Sequence, residues 1–331
     1  MTGQRVTPGM FGDEPTVVLE LATARLEVAL RGATVLRWVV DLGDGPVDLL
    51  DGYRTAEELR SQAGIRNGIM APFCDRVTDA RYTFDGVEHD LRPGQADRLV
   101  YHGLVRSMPF VLGAVTQDAD AVAATFGCQG LVTSPQPGYP FAIEVEVTYR
   151  LGTASLAVEI AGHNRGSGSA PFAAGWHPYF RFPGADTIAG LDLQISSDVR
   201  VETDPGLIPL PGAGAYTGIE PGAARWEPIG EAVLDVGYVA GGRHAEPTVL
   251  RDSASGLQLA LTQDRGLVHL FTGDTLDRDR RASIAVEPVE TMTDAFNRPD
   301  CATAIRLLPG DRRAFRASVA LSRLSDPDQQ A

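Results

Sequence analysis

Cysteine is scarce in this 331-residue chain, which contains only Cys74, Cys128 and Cys301. These residues are odd in number, widely spaced and without a CxxC pair, which argues against a disulfide framework and a thiolate metal site. The six histidines fall at none of the HxH, HxxxH or HExxH spacings that bind zinc. The sequence therefore predicts no bound metal.

Long apolar runs and clusters of basic residues are also absent. No stretch approaches the roughly 18 apolar residues that a membrane span needs, and residues 1–16 lack the apolar centre of a secretory signal. The net charge is −14, from 43 acidic and 29 basic residues, which opposes binding to nucleic acid or an anionic membrane. We expect a cytoplasmic protein with neither partner.

Period-two alternation is the strongest pattern that is present. Along residues 141–151 every second side chain is apolar, which is typical of a half-buried strand. Many short strands of this kind with few helical patterns predict an all-β fold, a large antiparallel β-sandwich with few short helices. Similar β-rich segments occur at 16–30, 155–162, 256–263, 267–273 and 314–324.

One segment, residues 55–64, predicts a helix, with Thr55 as N-cap, Glu58 completing a capping box and Gly64 ending it. Residues 203–230 are rich in proline and glycine, which predicts a loop. Because strand-like patterning resumes beyond this loop, we predict a single domain over residues 1–331, with its core at about 16–324.

Three segments resemble functional motifs only superficially. Residues 212–218 are glycine-rich but no Walker lysine follows, and residues 166–170 lack the last glycine of GxSxG. Residues 274–281 contain three aspartates without the glycine and glutamate of an EF-hand, so a solvated turn is predicted there.

A histidine and a carboxylate lie in apolar or aromatic segments, where polar residues are uncommon. His177 lies among aromatic residues in GWHPYF (175–180), and Glu287 lies near the end of the apolar strand IAVEP (284–288). The alternative for each is a buried, hydrogen-bonded residue that holds a loop. Taken alone, neither residue identifies a reaction.

Several separated segments together resemble the aldose 1-epimerase (galactose mutarotase-like) superfamily, in order and spacing, over about residues 16–324. The resemblance implies a β-sandwich isomerase without a cofactor, which interconverts the α and β anomers of a free aldose by acid–base ring opening and reclosure. The segments are NGIMAPFCDRVTDARYTFDGVEHDL (67–91), YHGLVR (101–106), HNRGSGSAPFAAGWHPYFRF (163–182), VEPVETMTDAFN (286–297) and LLPGD (307–311).

The resemblance implies a catalytic role for three residues. Glu287 is similar in position to the general base that removes the proton from the anomeric hydroxyl. His177 matches the general acid that protonates the ring oxygen, and His102 assists at that oxygen. Such a carboxylate and imidazole can exchange roles in the return step.

The same resemblance implies substrate contacts. Arg76 and Asp235 would hydrogen-bond the sugar hydroxyls, and Arg106 is a further candidate on the HGLVR motif. Trp176 and Phe296 are candidate platforms for an apolar sugar face, with core packing as the alternative for each.

Two local features depart from the family pattern or allow another role. Asp75 stands where the family commonly has asparagine, and residues 107–110 replace its usual tryptophan-rich continuation; both departures bear on substrate preference. Arg76 could also be a structural arginine that pairs with Asp75 or Asp79.

Three other functions stay open. A hexose-6-phosphate 1-epimerase would use Arg76, Arg81 and Arg106 to bind phosphate, against the negative net charge. A glycosidase would use Glu287 and Asp235 as its carboxylate pair. A non-catalytic carbohydrate-binding or regulatory protein could share the fold, since fold does not determine function. The partner in each case is a small-molecule sugar, bound by a monomer or homodimer.

Overall fold

The computed structural model describes residues 5–220, 222–240 and 246–324. Strands account for 46% and helices for 11% of the structure, and the strand ladders are antiparallel, for example β-pairing of residues 143–151 with 156–164. The predicted all-β antiparallel fold is confirmed. Within the described ranges, no helix is both long and apolar enough to cross a membrane.

Twenty-six strands and three α-helices follow one another in these ranges. The strands of the first half are β1 (Arg5–Phe11), β2 (Glu14–Glu20), β3 (Ala24–Ala29), β4 (Val35–Asp41), β5 (Pro46–Asp48), β6 (Ile69–Met70), β7 (Arg81–Phe84), β8 (Val87–Asp90), β9 (Val111–Gln117), β10 (Ala121–Cys128), β11 (Ile143–Gly152) and β12 (Ser155–Asn164). Those of the second half are β13 (Ala170–Pro171), β14 (Gly175–Trp176), β15 (Tyr179–Phe180), β16 (Asp192–Gln194), β17 (Val199–Val201), β18 (Tyr216–Gly218), β19 (Arg225–Trp226), β20 (Asp235–Val239), β21 (Thr248–Asp252), β22 (Leu257–Gln263), β23 (Leu267–Phe271), β24 (Ile284–Val289), β25 (Arg306–Leu307) and β26 (Arg312–Arg323). The helices are α1 (Ala56–Ser61), α2 (Gly130–Thr133) and α3 (Ala302–Ile305).

Three sheets carry most of these strands. The first has the order β1-β2-β3-β4-β5, and the second has the order β19-β16-β21-β22-β26-β12-β11-β10-β9. The third, an eight-stranded sheet, has the order β18-β17-β20-β23-β24-β14-β6, with β15 also paired to β24. One apolar cluster joins residues of all three sheets, including Leu26, Val147 and Val286, so the sheets share a core.

The alternation in the sequence accounts for this core. The side chains at 143, 145, 147, 149 and 151 of β11 are buried, while those between them are exposed or half-buried, as the pleat requires. The predicted strands at 141–151, 155–162, 256–263, 267–273 and 314–324 are confirmed to within a few residues. The segment 16–30 is two strands, β2 and β3, because the chain turns between Glu20 and Ala24.

Helix α1 begins as predicted. The Thr55 hydroxyl accepts from the Glu58 amide at 3.1 Å, while the Glu58 carboxylate accepts from the Arg54 amide at 2.8 Å. The predicted end at Gly64 is wrong, because Gln62 takes the left-handed conformation (φ 55°) and its amide bonds to carbonyls of the last turn. Helices α2 and α3, of four residues each, are too short to show a helical period in the sequence.

The proline-rich segment 203–230 is mostly a structured loop. Within it lie the short strands β18 and β19 and a 3-10 turn at Gly212–Ala215. The Arg298 guanidinium donates to the carbonyls of Leu210, at 2.9 Å, and Gly212, at 3.2 Å. These bonds attach the loop to the chain that follows β24.

Gly103 is required by a close approach of two backbones. It has φ 72°, and a Cβ there would lie 2.1 Å from the Ala71 carbonyl oxygen. Gly86 has a similar φ of 78°, but a Cβ there meets no described atom within 4 Å. An alanine at position 86 would therefore meet only the unfavourable backbone conformation, whereas an alanine at position 103 would also clash with the Ala71 carbonyl.

We expect Gly86→Ala to lower the free energy of unfolding by roughly 1 kcal/mol, through its backbone conformation alone. Gly103→Ala should lower it by about 2 kcal/mol or more beyond that, because of the clash. Urea unfolding followed by tryptophan fluorescence measures both variants. Equal losses for the two would contradict the close approach.

Candidate active site

Three neighbouring strands at the centre of the eight-stranded sheet bring ionisable side chains to one face. Glu287 lies in β24, whose six residues are all buried, and His269 of β23 stands directly opposite it in the ladder. Gly237 of β20 is the ladder partner of His269, and Asp235 is on the same face two residues earlier. The antiparallel register therefore clusters groups that are distant in sequence.

His177 follows β14 and is held by backbone bonds on both sides. Its amide donates to the Gly68 carbonyl at 3.0 Å, and its carbonyl accepts from the Asn67 amide at 2.9 Å. The Asn67 side chain accepts in turn from the Tyr179 amide at 2.9 Å. The segment at 67–68 thereby sets the position of the imidazole.

The wall facing the sheet is built from strained backbone. Asp75 and His102 both have left-handed backbone, with φ 50° and 57°, and the His102 amide donates to the Asp75 carbonyl at 2.8 Å. Such conformations cost about 1–3 kcal/mol each for residues other than glycine, and they concentrate at functional sites. A bridge between Arg76 and Tyr101 continues the contact.

The distances within the cluster suit proton transfer. His177 Nε2 lies 3.3 Å from Glu287 Oε1. The His102 ring stands edge-on to the His177 ring, with centroids 4.9 Å apart, and the Tyr179 ring stacks on His177 with centroids 4.9 Å apart. His177 and Glu287 are 4% and 3% exposed, so water cannot screen the charge on either group.

Burial sets the protonation of this cluster. Burial lowers the pKa of His177 well below its usual value, and His102 adds to that shift. Burial also lowers the pKa of His102 well below its usual value, and the charges of Arg106 and Arg76 add to that shift. Burial raises the pKa of Glu287 to about 8, although His269 opposes the shift. At neutral pH the pair of His177 and Glu287 therefore holds one proton, mainly on the carboxyl group.

Arg76 lies at the edge of the same cluster. Its guanidinium pairs with Asp75 at 3.0 Å, as one alternative predicted, and the Asp75 carboxylate also accepts a short hydrogen bond from the Thr293 hydroxyl. Arg76 also lines the cavity described below. The ion pair thus orients the arginine without removing it from the site.

His269 is a site residue that the sequence analysis missed. Its Nε2 bonds to Asp235 Oδ1 at 2.8 Å. Burial alone would lower the pKa of His269, but the bond to Asp235 and the negative charges of Glu287 and Asp75 outweigh it and raise the pKa to about 9. The available signal was a polar residue within the apolar strand 267–273, but only the register shows that it faces Glu287.

A cavity of about 340 Å³ opens above these groups, within the range of small-molecule sites. The loop at 274–281, predicted as a solvated turn, forms part of its wall through Thr275, Leu276 and Asp277. Arg278 fixes that loop by bonds of 3.0 Å to the Glu58 carboxylate of α1. The other lining residues include Asp75, Arg76, Leu99, Tyr101, His102, His177, Tyr179, Asp235, His269, Phe271 and Glu287.

The structure thus brings together five of the seven predicted site residues, namely Glu287, His177, His102, Arg76 and Asp235.

Two predicted substrate contacts, Arg106 and Trp176, do not line the cavity. Trp176 is fully buried and meets Phe180 edge-on, because it precedes His177 on an extended segment where successive side chains point to opposite faces. Arg106 lies in a short turn with its guanidinium 5.8 Å from the Tyr101 ring centroid, and its charge helps to lower the pKa of His102.

Phe296, the other predicted platform, does not line the cavity either. Its ring packs against those of Phe73, Tyr82 and Tyr139 in the core.

The donor atoms of His102, His177 and Glu287 all lie within 4.8 Å of one another, so these residues could hold a metal ion. The prediction of no metal rested on local spacing in the sequence, and a group assembled from three distant segments escapes such a search. The same three residues form the cluster described above, whose distances suit proton transfer.

The chain is similar in sequence to known aldose 1-epimerases. The family model for aldose 1-epimerase matches residues 15–320. The aldose 1-epimerase of Streptococcus thermophilus is 23% identical over 291 residues, which cover 80% of this chain and 82% of that protein. The uncharacterized protein YihR of Escherichia coli K12 is 23% identical over 243 residues, covering 69% and 71%.

Solved structures show the same fold. The galactose 1-epimerase of Lactobacillus acidophilus NCFM superposes with a TM-score of 0.79 at 15% identity, covering 98% of this chain and 99% of that one. An aldose epimerase homologue from C. elegans gives a TM-score of 0.76 at 18% identity, covering 98% and 100%. With the family model matched over most of its length, the chain belongs to the aldose 1-epimerase family.

Proposed function

We propose that this protein interconverts the α and β anomers of a free, uncharged aldose. The observation that carries the proposal is the contact of 3.3 Å between His177 Nε2 and Glu287 Oε1, within a cavity and out of water. Anomer exchange needs one group that takes a proton and one that gives a proton at the same time. A pair that shares one proton supplies both.

The reaction follows from that shared proton. With the proton on His177, the Glu287 carboxylate removes the proton of the anomeric hydroxyl, and the freed electron pair forms the C1=O1 bond. The bond from C1 to the ring oxygen breaks, and that oxygen takes the proton of His177. Rotation about C1–C2 and reclosure on the other face of the aldehyde then proceed with the two groups in reversed roles.

The remaining polar groups suit a polyol. A sugar that enters the cavity loses water from several hydroxyls, and each must find a partner. Arg76 offers donors, Asp235 offers an acceptor, and the neutral His102 ring can donate or accept near the ring oxygen. Leu99 and Phe271 supply apolar surface for the C–H face of a sugar.

The charge of the cavity favours a neutral sugar over a phosphorylated one. The described lining residues carry two cations, Arg76 and His269, against the carboxylates of Asp75, Asp235 and Asp277, while Glu287 keeps its proton near neutral pH. Arg106 does not line the cavity. A phosphate dianion would therefore meet more negative than positive charge.

Arg81, the third arginine of the phosphate hypothesis, lies outside the lining as well, at an exposed position of β7, where it pairs with Asp90 at 3.5 Å. The glycosidase alternative is disfavoured because His269 engages Asp235. A carboxylate pair would also leave His177 without a role.

We expect Glu287→Gln to abolish catalysed anomer exchange, because the amide neither accepts nor releases the proton, while sugar binding is largely retained. His177→Asn should lower turnover by about 10²-fold or more. One-dimensional NMR of anomer exchange measures both variants with glucose, galactose and other aldoses, beside hexose 6-phosphates.

The matched control is Glu88→Gln, the same change at an exposed position of β8, which should retain the wild-type rate. Wild-type rates for Glu287→Gln would refute the mechanism. Acceleration restricted to phosphosugars would refute the neutral substrate, and binding without acceleration of any sugar would indicate a binding protein.

The pH dependence of kcat/KM should show a fall above about pH 8, where Glu287 loses its proton while His177 is already neutral. Above that pKa the pair has a base but no acid, so the rate should fall tenfold per pH unit. Below it the rate should stay level through pH 6.5, because the pKa of His177 lies well below that of a free histidine. A rate that rises across pH 6–7 would contradict this assignment.

A further inference from the structure

His269 and Asp235 form a pair beside Glu287 to which the mechanism above assigns no proton transfer. His269 faces Glu287 across the ladder of β23 and β24 and bonds to Asp235 at 2.8 Å. The chain contains no lysine, so positive charge from a side chain can come only from arginine or histidine. His269 is thus one of the few residues able to place a cation within the sheet.

Two ion pairs of similar form lie near Glu287. Arg76 and Asp75 are 3.0 Å apart, His269 and Asp235 are 2.8 Å apart, and all four charges act on the Glu287 carboxyl group. Each pair is close to neutral while both partners are charged. Removing one cation leaves a carboxylate unpaired near Glu287, and like charges close together favour proton uptake.

We propose that His269 is a positioning residue: held on Asp235, its imidazolium balances the nearby carboxylates and so determines how readily the Glu287 carboxyl group loses and takes up its proton. This inference rests on the proposed function for its effect on the rate. The charge state of His269 can be tested without any activity.

The protonation pattern supports the geometry. The pKa of His269 is raised to about 9, after the bond to Asp235 and the charges of Glu287 and Asp75 overcome burial, while His269 itself holds the pKa of Glu287 down. The other titratable or charged groups around the two residues, on every neighbouring element, are Cys74, Arg76, Tyr101, His102, His177, Tyr179 and Asp277.

Of these neighbours, the two imidazoles cannot replace the cation. Burial keeps the pKa values of His102 and His177 well below the usual range. The thiol of Cys74 is buried and its pKa is raised, so it carries no charge either. Arg76 is already paired with Asp75. His269 is therefore the cation that offsets Asp235.

The experiment compares the pH profile of kcat/KM for wild type, His269→Gln and the double variant His269→Gln/Asp235→Asn. Glutamine can still bond to Asp235 but carries no charge, so the pKa of Glu287 should rise. The pH above which kcat/KM falls should therefore be higher than in wild type by roughly one unit. The double variant removes one positive and one negative charge, so the fall should return toward its wild-type position.

The matched control is His163→Gln on β12, outside the cavity lining, which should leave the profile unchanged. A loss of packing at position 269 would lower kcat without moving the profile, and a structural role would not be rescued by a second substitution. The proposal is overturned if the pH profile of kcat/KM in His269→Gln matches that of wild type. It is also overturned if the profile of the double variant is shifted as far as that of His269→Gln.

Histidine side-chain NMR gives the readout that needs no turnover. The Cε1–H resonance of His269, assigned by its loss in His269→Gln, should report an imidazolium at pH 7 and titrate at lower pH in Asp235→Asn. A neutral His269 at pH 7 overturns the inference. Absence of anomer exchange in wild type with a charged His269 would instead refute the proposed function alone.

Discussion

The burial of the Glu287 carboxyl group is the constraint on which the rest of the site depends. An isolated ionised carboxylate costs several kcal/mol to remove from water, and this one lies in a strand whose residues are all buried. The structure meets that cost by keeping a proton on the group near neutral pH and by placing His177 within reach of it. Because the ionised form of Glu287 is destabilised by burial, its pKa lies near neutral pH and the proton can be transferred.

Other features of the cavity keep that environment in place. The strained backbone at Asp75 and His102 is stabilised by a hydrogen bond between the two segments, and Gly103 permits the close approach of the chain at Ala71. The wall loop at 274–281 is held by Arg278 through α1. The strained backbone of the site is thus stabilised by contacts around it, as is usual where a site departs from the most stable arrangement.

Much of the fold could be predicted from the sequence, because period-two alternation records which face of each strand is buried. The strands around residues 141–162 and 256–271 were predicted for this reason. The four-residue helices could not be, since they span about one turn. The resemblance to the family supplied Glu287, His177, His102, Arg76 and Asp235, all of which line the cavity.

Only the tertiary structure determines which of these side chains lie close together and which of them are protonated. A strand pattern says that His269 is polar among apolar neighbours, but the register places it opposite Glu287. The same register and turns move Arg106 and Trp176 out of the lining. Sequence determines the faces of elements because side-chain periodicity is local. The pKa values, the metal-compatible cluster and the charge balance depend on burial and long-range pairing, which the folded chain alone determines.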